Sequence, residues 1–206
     1  MPDDTDDSDD PSREASSQKD ATSQGDSMSK RDATSQSNAS RRHDRITHHA
    51  TPGPGNSLQS WPDAKHPFRV ALNYVVIVLA RISPSLRLKN LLLRSIGVTV
   101  GEGVSWGLES TPDVFWPELV TVEDHAIVGY DVTILCHEFL QDEYRTGEVV
   151  VGERAMIGAG AILLPGVEVG AGASVAANSL VTQDVQPGET VAGVPATPMG
   201  SEESSD

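Results

Sequence analysis

The sequence predicts an all-β domain wound into a parallel β-helix, and three observations predict it. An aliphatic residue falls at every sixth position from Val151 through Ile157, Leu163, Val169 and Val175 to Val181, and the same period runs earlier through Val122, Val128 and Ile134. The fifth place of the later hexads is always small or β-branched: Ala155, Ala161, Val167, Ala173, Ser179, Val185. Glycine crowds the second and fourth places. A helix would repeat its apolar residues every three and four positions, and an open strand would alternate over a longer run. A six-residue period belongs to a solenoid.

Each hexad reads as one flat face of a triangular prism. The aliphatic residue points to the axis, the small residue lies beside it near the corner, and glycine supplies turn dihedrals closed to other residues. Three hexads close a coil. Stacked coils then bury ladders of side chains that no single coil could bury alone.

The elements follow in order. Residues 1–65 are Asp, Ser, Thr, Gln, Gly and Pro with almost no large apolar side chains, and they are expected to be disordered. Residues 66–95 form a basic, apolar helical segment. Within it Phe68–Ile82 carries Arg69, Asn73 and Arg81 on one narrow stripe, and Ser83-Pro84 reads as the N-cap and first residue of a second helix. At this length the first helix is too short to span a bilayer. It is expected to pack against the prism or a sister subunit, with peripheral membrane contact through 68–95 as the other reading. Residues 96–198 are the β-helix domain, and 199–206 an acidic tail. Its first coils are degraded: Val100-Gly101-Glu102-Gly103-Val104 fits a hexad and Trp106-Gly107 starts another, but Pro112, Phe115, Trp116 and Pro117 break the register. Those aromatics either line a pocket or cap the narrower end of the prism.

Charge narrows the function classes. The chain of 206 residues carries a formal net charge of −15. Residues 66–95 hold five basic side chains (Arg69, Arg81, Arg87, Lys89, Arg94) and no acidic one, so the acid is concentrated elsewhere. From residue 96 onward only Arg145 and Arg154 oppose the carboxylates. Such a domain repels nucleic acid and suits a high-salt cytoplasm, where its self-repulsion is screened. The single Cys136 excludes an intrachain disulfide and suits a reducing interior. The start MPDDTDDSDD lacks the features of a secretory signal.

The hexad ladder stops after Ile134, and the polar stretch Cys136-His137-Glu138 begins there. His137 is the best general base in the domain, because imidazole titrates near neutrality and this one sits where a loop leaves the coil. His43, His48 and His49 fall in the tail, and His125 occupies a turn place of its hexad. Cys136, adjacent on an extended chain, points the opposite way and reads as a packed thiol.

The hexads, together with Val181-Thr182-Gln183-Asp184-Val185 and Ala192-Gly193-Val194-Pro195-Ala196, resemble the hexapeptide-repeat acyltransferase superfamily over about residues 91–196. The likeness is nearest to its galactoside and maltose O-acetyltransferase branch, in which the catalytic His is also followed by Glu. The resemblance implies a left-handed β-helix, a homotrimer with sites between prisms, and acetyl-CoA as acyl donor to a hydroxyl of a sugar-like acceptor. It assigns His137 as catalytic base, Glu138 to the acceptor or to orienting the base, and the loop Phe139–Glu148 to a cleft between subunits. It assigns backbone groups at Ala159, Ala177 and Thr182 to the coenzyme, with no metal. Two positions depart from the pattern: Gln183 and Thr197 stand where the family commonly has basic residues facing the coenzyme phosphates, which leaves Arg154 or high salt to compensate. Two rivals follow. One is a non-catalytic scaffold that has lost the coenzyme site. The other is a γ-type carbonic anhydrase, for which His125 and His137 are too few ligands.

Overall fold

A computed structural model describes residues 42–51 and 53–199. The expected disorder up to residue 41 and the acidic end beyond Met199 lie outside them. The chain winds through three parallel sheets whose inward residues form the expected ladders. Val100, Val122, Val151 and Val169 make one. Trp106, Val128, Ile157, Val175 and Val191 make the second, and Ile134, Leu163 and Val181 the third. All are buried, together with the small residues beside them from Ala155 to Val185. Burial of each such aliphatic side chain is worth about 1.5–3 kcal/mol.

The two glycine places of a hexad do different work. A Cβ at Gly158, in the second place, would lie 2.5 Å from the backbone nitrogen of Ala177 in the next coil, so Gly158 is needed because backbones meet there. The fourth place takes the left-handed conformation: Gly160 has φ +70°, and His125, Arg154 and Asn178 adopt it too, at φ 58°, 55° and 56°. Only the fourth place is therefore a matter of turn dihedrals.

Two helices cover the open end of the first coil: α1 (Pro67–Ile82) and α2 (Leu86–Ser95). Ile77, Ala80, Leu93 and Ile96 join the prism core. The polar stripe of α1 faces the prism. Asn73 is fully buried and donates to the carbonyl of Val114 (2.9 Å), Arg69 to that of Ile96 (3.0 Å), and Arg81 pairs with Glu109 (2.7 Å). These groups satisfy loop carbonyls and a carboxylate of the prism that burial would otherwise strand. The N-cap of α2 is Ser85 and not Ser83. Ser83 precedes Pro84, which excludes the helical conformation, so Ser83 is extended (ψ 128°) and ends α1.

The expectation that order begins only after residue 65 is corrected. Thr47–Ala50 is a strand paired antiparallel with Glu143–Thr146, and Ser57–Ser60 and Trp61–Ala64 are helical turns. Composition missed this strap because polar side chains anchor it, not an apolar face. Arg42 donates to the carbonyl of Pro165 (2.7 Å), and Arg45 donates to that of Gly166 and pairs with Asp184.

Candidate active site

Both interruptions of the six-residue period fall at one corner of the prism. Ladder partners Val151 and Val169 stand 18 residues apart, but Val122 and Val151 stand 29 apart and Val100 and Val122 stand 22 apart, excesses of 11 and 4. The longer excursion leaves the coil after Ile134. The shorter leaves after Thr111, which bridges to Thr133 in the coil above. Two excursions so stacked must meet, and the residues they bring together form the site.

His137 stands on the strand His137–Phe139, and its Nδ1 lies 2.6 Å from Oδ2 of Asp113. The Asp113 carboxylate is wholly buried. Its Oδ1 accepts the backbone N–H groups of Phe115 (2.8 Å) and Trp116 (2.9 Å), and its Oδ2 also accepts that of Cys136 (2.6 Å). A carboxylate ringed by backbone donors accepts from the imidazole as well. Nδ1 therefore donates, and in the neutral imidazole Nε2 keeps the lone pair that a general base needs. Phe115, Trp116 and Phe139 wall the ring, with centroids 4.8, 5.1 and 5.1 Å from its own. The His137 side chain stays 15% exposed, enough to be reached from one side. The aromatics of the first excursion thus line the site; the alternative, that they cap the prism, falls to α1 and α2. Asp113 escaped sequence reasoning. The signal that reveals it is the shared phase of the two register breaks.

Cys136 turns the other way and is buried. Burial, then the neighbouring Asp113, raises its thiol well above the ordinary range, so it is no nucleophile. Glu138, also opposite to His137 along the strand, faces Arg42 of the strap at 3.7 Å. The stretch Phe139–Glu148 is a hairpin, His137–Phe139 paired with Glu143–Thr146, and the chain's own strap covers its outer strand. Two histidines assigned to the tail are in that strap. His48 pairs with Glu143 (3.1 Å), and this contact, with Arg145, holds the Glu143 carboxyl below its usual range. His49 stacks on Tyr144 (4.4 Å), which stacks in turn on Trp116 (5.7 Å). Lys65 lies over the Trp116 ring and pairs with Glu118. Between strap and helical turn is a cavity of about 310 Å³ bounded by Ala50, Thr51, Ser60, Asp63, Ala64 and Tyr144. The buried hydroxyl of Thr51 has no hydrogen-bond partner among the described residues.

The remaining positions lie elsewhere on the prism. Ala159 and Ala177 stack one coil apart at the corner between the second and third sheets, exposed and bearing only methyl groups. Thr182 follows the third sheet, at the corner that carries His137 two coils earlier. Within one chain His137 and Ala159 are therefore not brought together. Thr197 is exposed on the short strand Ala196–Pro198, which folds back on Thr190–Gly193. Arg154 and His125 are exposed turn residues at the corner between the first and second sheets. Among the described residues no group of three or more His, Cys, Asp or Glu is placed to hold a metal ion.

A prism of stacked hexads with a His–Asp pair at its interrupted corner is a hexapeptide-repeat protein, and the comparisons agree. The family profile described as bacterial transferase hexapeptide (six repeats) matches residues 148–183. A Bacillus subtilis protein named "Putative acetyltransferase YvoF" is 44% identical over 128 residues, 62% of this chain and 74% of that protein. A Staphylococcus aureus protein named "Putative acetyltransferase SAR0816" is 36% identical over 118 residues, 57% of this chain and 73% of that protein. Among solved structures, the hexapeptide-repeat acetyltransferase VCA0836 of Vibrio cholerae superposes with a TM-score of 0.53 at 19% identity, covering 65% of this chain and 90% of that one. A galactoside acetyltransferase in complex with coenzyme A does so at 0.51 and 20%, covering 65% and 80%. The fold is the left-handed β-helix of these structures. The chain belongs to the hexapeptide-repeat acetyltransferase family.

Proposed function

We propose that this protein is an O-acetyltransferase that moves an acetyl group from acetyl-CoA to a hydroxyl of a sugar-like acceptor. The observation that carries the reading is the Asp113–His137 pair, which holds Nδ1 and leaves Nε2 for the acceptor beside an aromatic-walled opening. His137 Nε2 takes the acceptor's proton as the hydroxyl oxygen bonds to the acyl carbon. The carbon–sulfur bond then breaks, and the coenzyme leaves as a thiolate that takes up that proton. Asp113 stabilises the imidazolium that forms. The acceptor rests in the cavity that Tyr144 bounds, where Thr51, Ser60 and Asp63 suit its hydroxyls.

Acetyl-CoA supplies the activated acyl group. The exposed, small-residue edge at Ala159 and Ala177 fits a thin extended arm lying flat on the prism, and the N–H of Ala159 is the oxyanion donor. Ala159 lies at a different corner from His137, so the reading requires a homotrimer in which one prism supplies the base and its neighbour the coenzyme edge. The strongly acidic domain operates at high salt inside the cell, where screening offsets the want of basic groups at Gln183 and Thr197.

The test is His137→Ala. Turnover should fall by about 10²–10⁴-fold with acetyl-CoA binding retained by calorimetry. Undiminished turnover would overturn the role of His137, and no coenzyme binding by the parent protein would favour a scaffold.

A further inference from the structure

The two cap helices turn an apolar face outward. On α1, Phe68, Leu72, Val75, Leu79 and Ile82 recur at helical spacing and all are exposed, Phe68 by 73% and Ile82 by 62%. On the outward line of α2, Leu91 (65% exposed) stands one turn from the exposed Arg87. The polar groups of these helices are largely spent on the other side: Asn73 and Arg69 on loop carbonyls, Lys89 on the carbonyl of Gly107, Asn90 on that of Val104, and Arg94 on those of Val100 and Gly101. Exposed apolar rows on two helices packed together mark an interaction site. Charge marks it too. In a chain with 30 acidic residues, none lies between Asp63 and Glu102.

We propose that this face seats the protein on an anionic lipid surface. The occupant follows from the charge. With no acidic side chain on either helix, the exposed Arg87 and the positive charge of the segment complement lipid phosphates. No helix among the described residues is long and apolar enough to cross a membrane, so α1 lies in the interface plane. Phe68 and Tyr74, both exposed, suit the headgroup boundary. Because the helices cover the first coil, the remaining coils stack away from the lipid. Most of the acidic prism then stands more than a Debye length, about 8 Å at physiological salt, from the like-charged surface.

The experiment is flotation of the full chain with vesicles of phosphatidylcholine alone and of phosphatidylcholine with an equal part of phosphatidylglycerol. The protein should float with the anionic vesicles, and Val75→Asp with Leu79→Asp should weaken this roughly tenfold or more. Both residues are exposed, so circular dichroism and melting should be unchanged. Failure to float with either vesicle would overturn the proposal. So would a lower mass of the double variant by light scattering, which would make the face a contact between copies. Binding is read without turnover, so the result is independent of the reading of His137.

Discussion

Asp113 Oδ2 lies 2.6 Å from His137 Nδ1 although 24 residues and a full coil separate them. The same carboxylate ties down the backbone of both excursions, through Phe115 and Trp116 on one and Cys136 on the other. It clasps the corner, and under the proposed mechanism it positions the base.

Asp113→Asn should therefore lower kcat by roughly 10²–10⁴-fold while KM for acetyl-CoA stays within a few-fold. The amide offers Nδ1 either a donor or an acceptor, so the tautomer is no longer held. Steady-state kinetics with both substrates varied checks this. A variant that raises KM alone would mean that Asp113 shapes binding and does not orient the imidazole.

The two kinds of glycine should differ in substitution. Gly158→Ala places a Cβ 2.5 Å from the Ala177 nitrogen, and backbone cannot yield there as a side chain can. A loss of about 3 kcal/mol or more is expected. Arg154→Gly, at φ 55°, relieves left-handed strain and should change stability by at most about 1 kcal/mol. Denaturant melting of both variants distinguishes them.

Cys136 should resist thiol reagents in the folded protein. Burial and the neighbouring Asp113 raise its pKa, so thiolate is scarce at neutral and moderately alkaline pH, and the sulfur is enclosed. Labelling should appear only with unfolding. Rapid labelling of the native state would mean that the corner opens.

The strap should be ordered and its anchors separable from the prism. Amide exchange should show protection at Thr47–Ala50, where the strand pairs with Glu143–Thr146. Arg45→Ala removes the contacts to Gly166 and Asp184 and should lose that protection while the coils keep theirs, a local cost of roughly 1–3 kcal/mol. Unprotected amides in the parent protein would refute the strap.

Replacing Gln183 and Thr197 by Lys should tighten acetyl-CoA binding at low salt, by roughly tenfold, and the gain should fade as salt rises. Calorimetric titration across salt concentrations reads both. A gain independent of salt would contradict a phosphate contact.

The sequence by itself determined the prism. A six-residue period leaves one geometry in which Val151, Ile157 and Leu163 all reach an axis, and the left-handed fourth place appears at Arg154 and Asn178 as well as at the glycines. It also isolated His137, because the ladder visibly stops beside it. The tertiary structure alone decided what surrounds that residue. Asp113 and Trp116 reach it because two insertions of unequal length leave the same corner, a relationship between coils that no local window contains. The strap escaped for a related reason. Thr47–Ala50 has no apolar face to announce it, and its order comes from Arg42 and Arg45 on carbonyls more than 120 residues away. The direction of the helix stripe was hidden in the same way. Periodicity placed Arg69, Asn73 and Arg81 together, but only the loop carbonyls and Glu109 of the prism made that side the inner one.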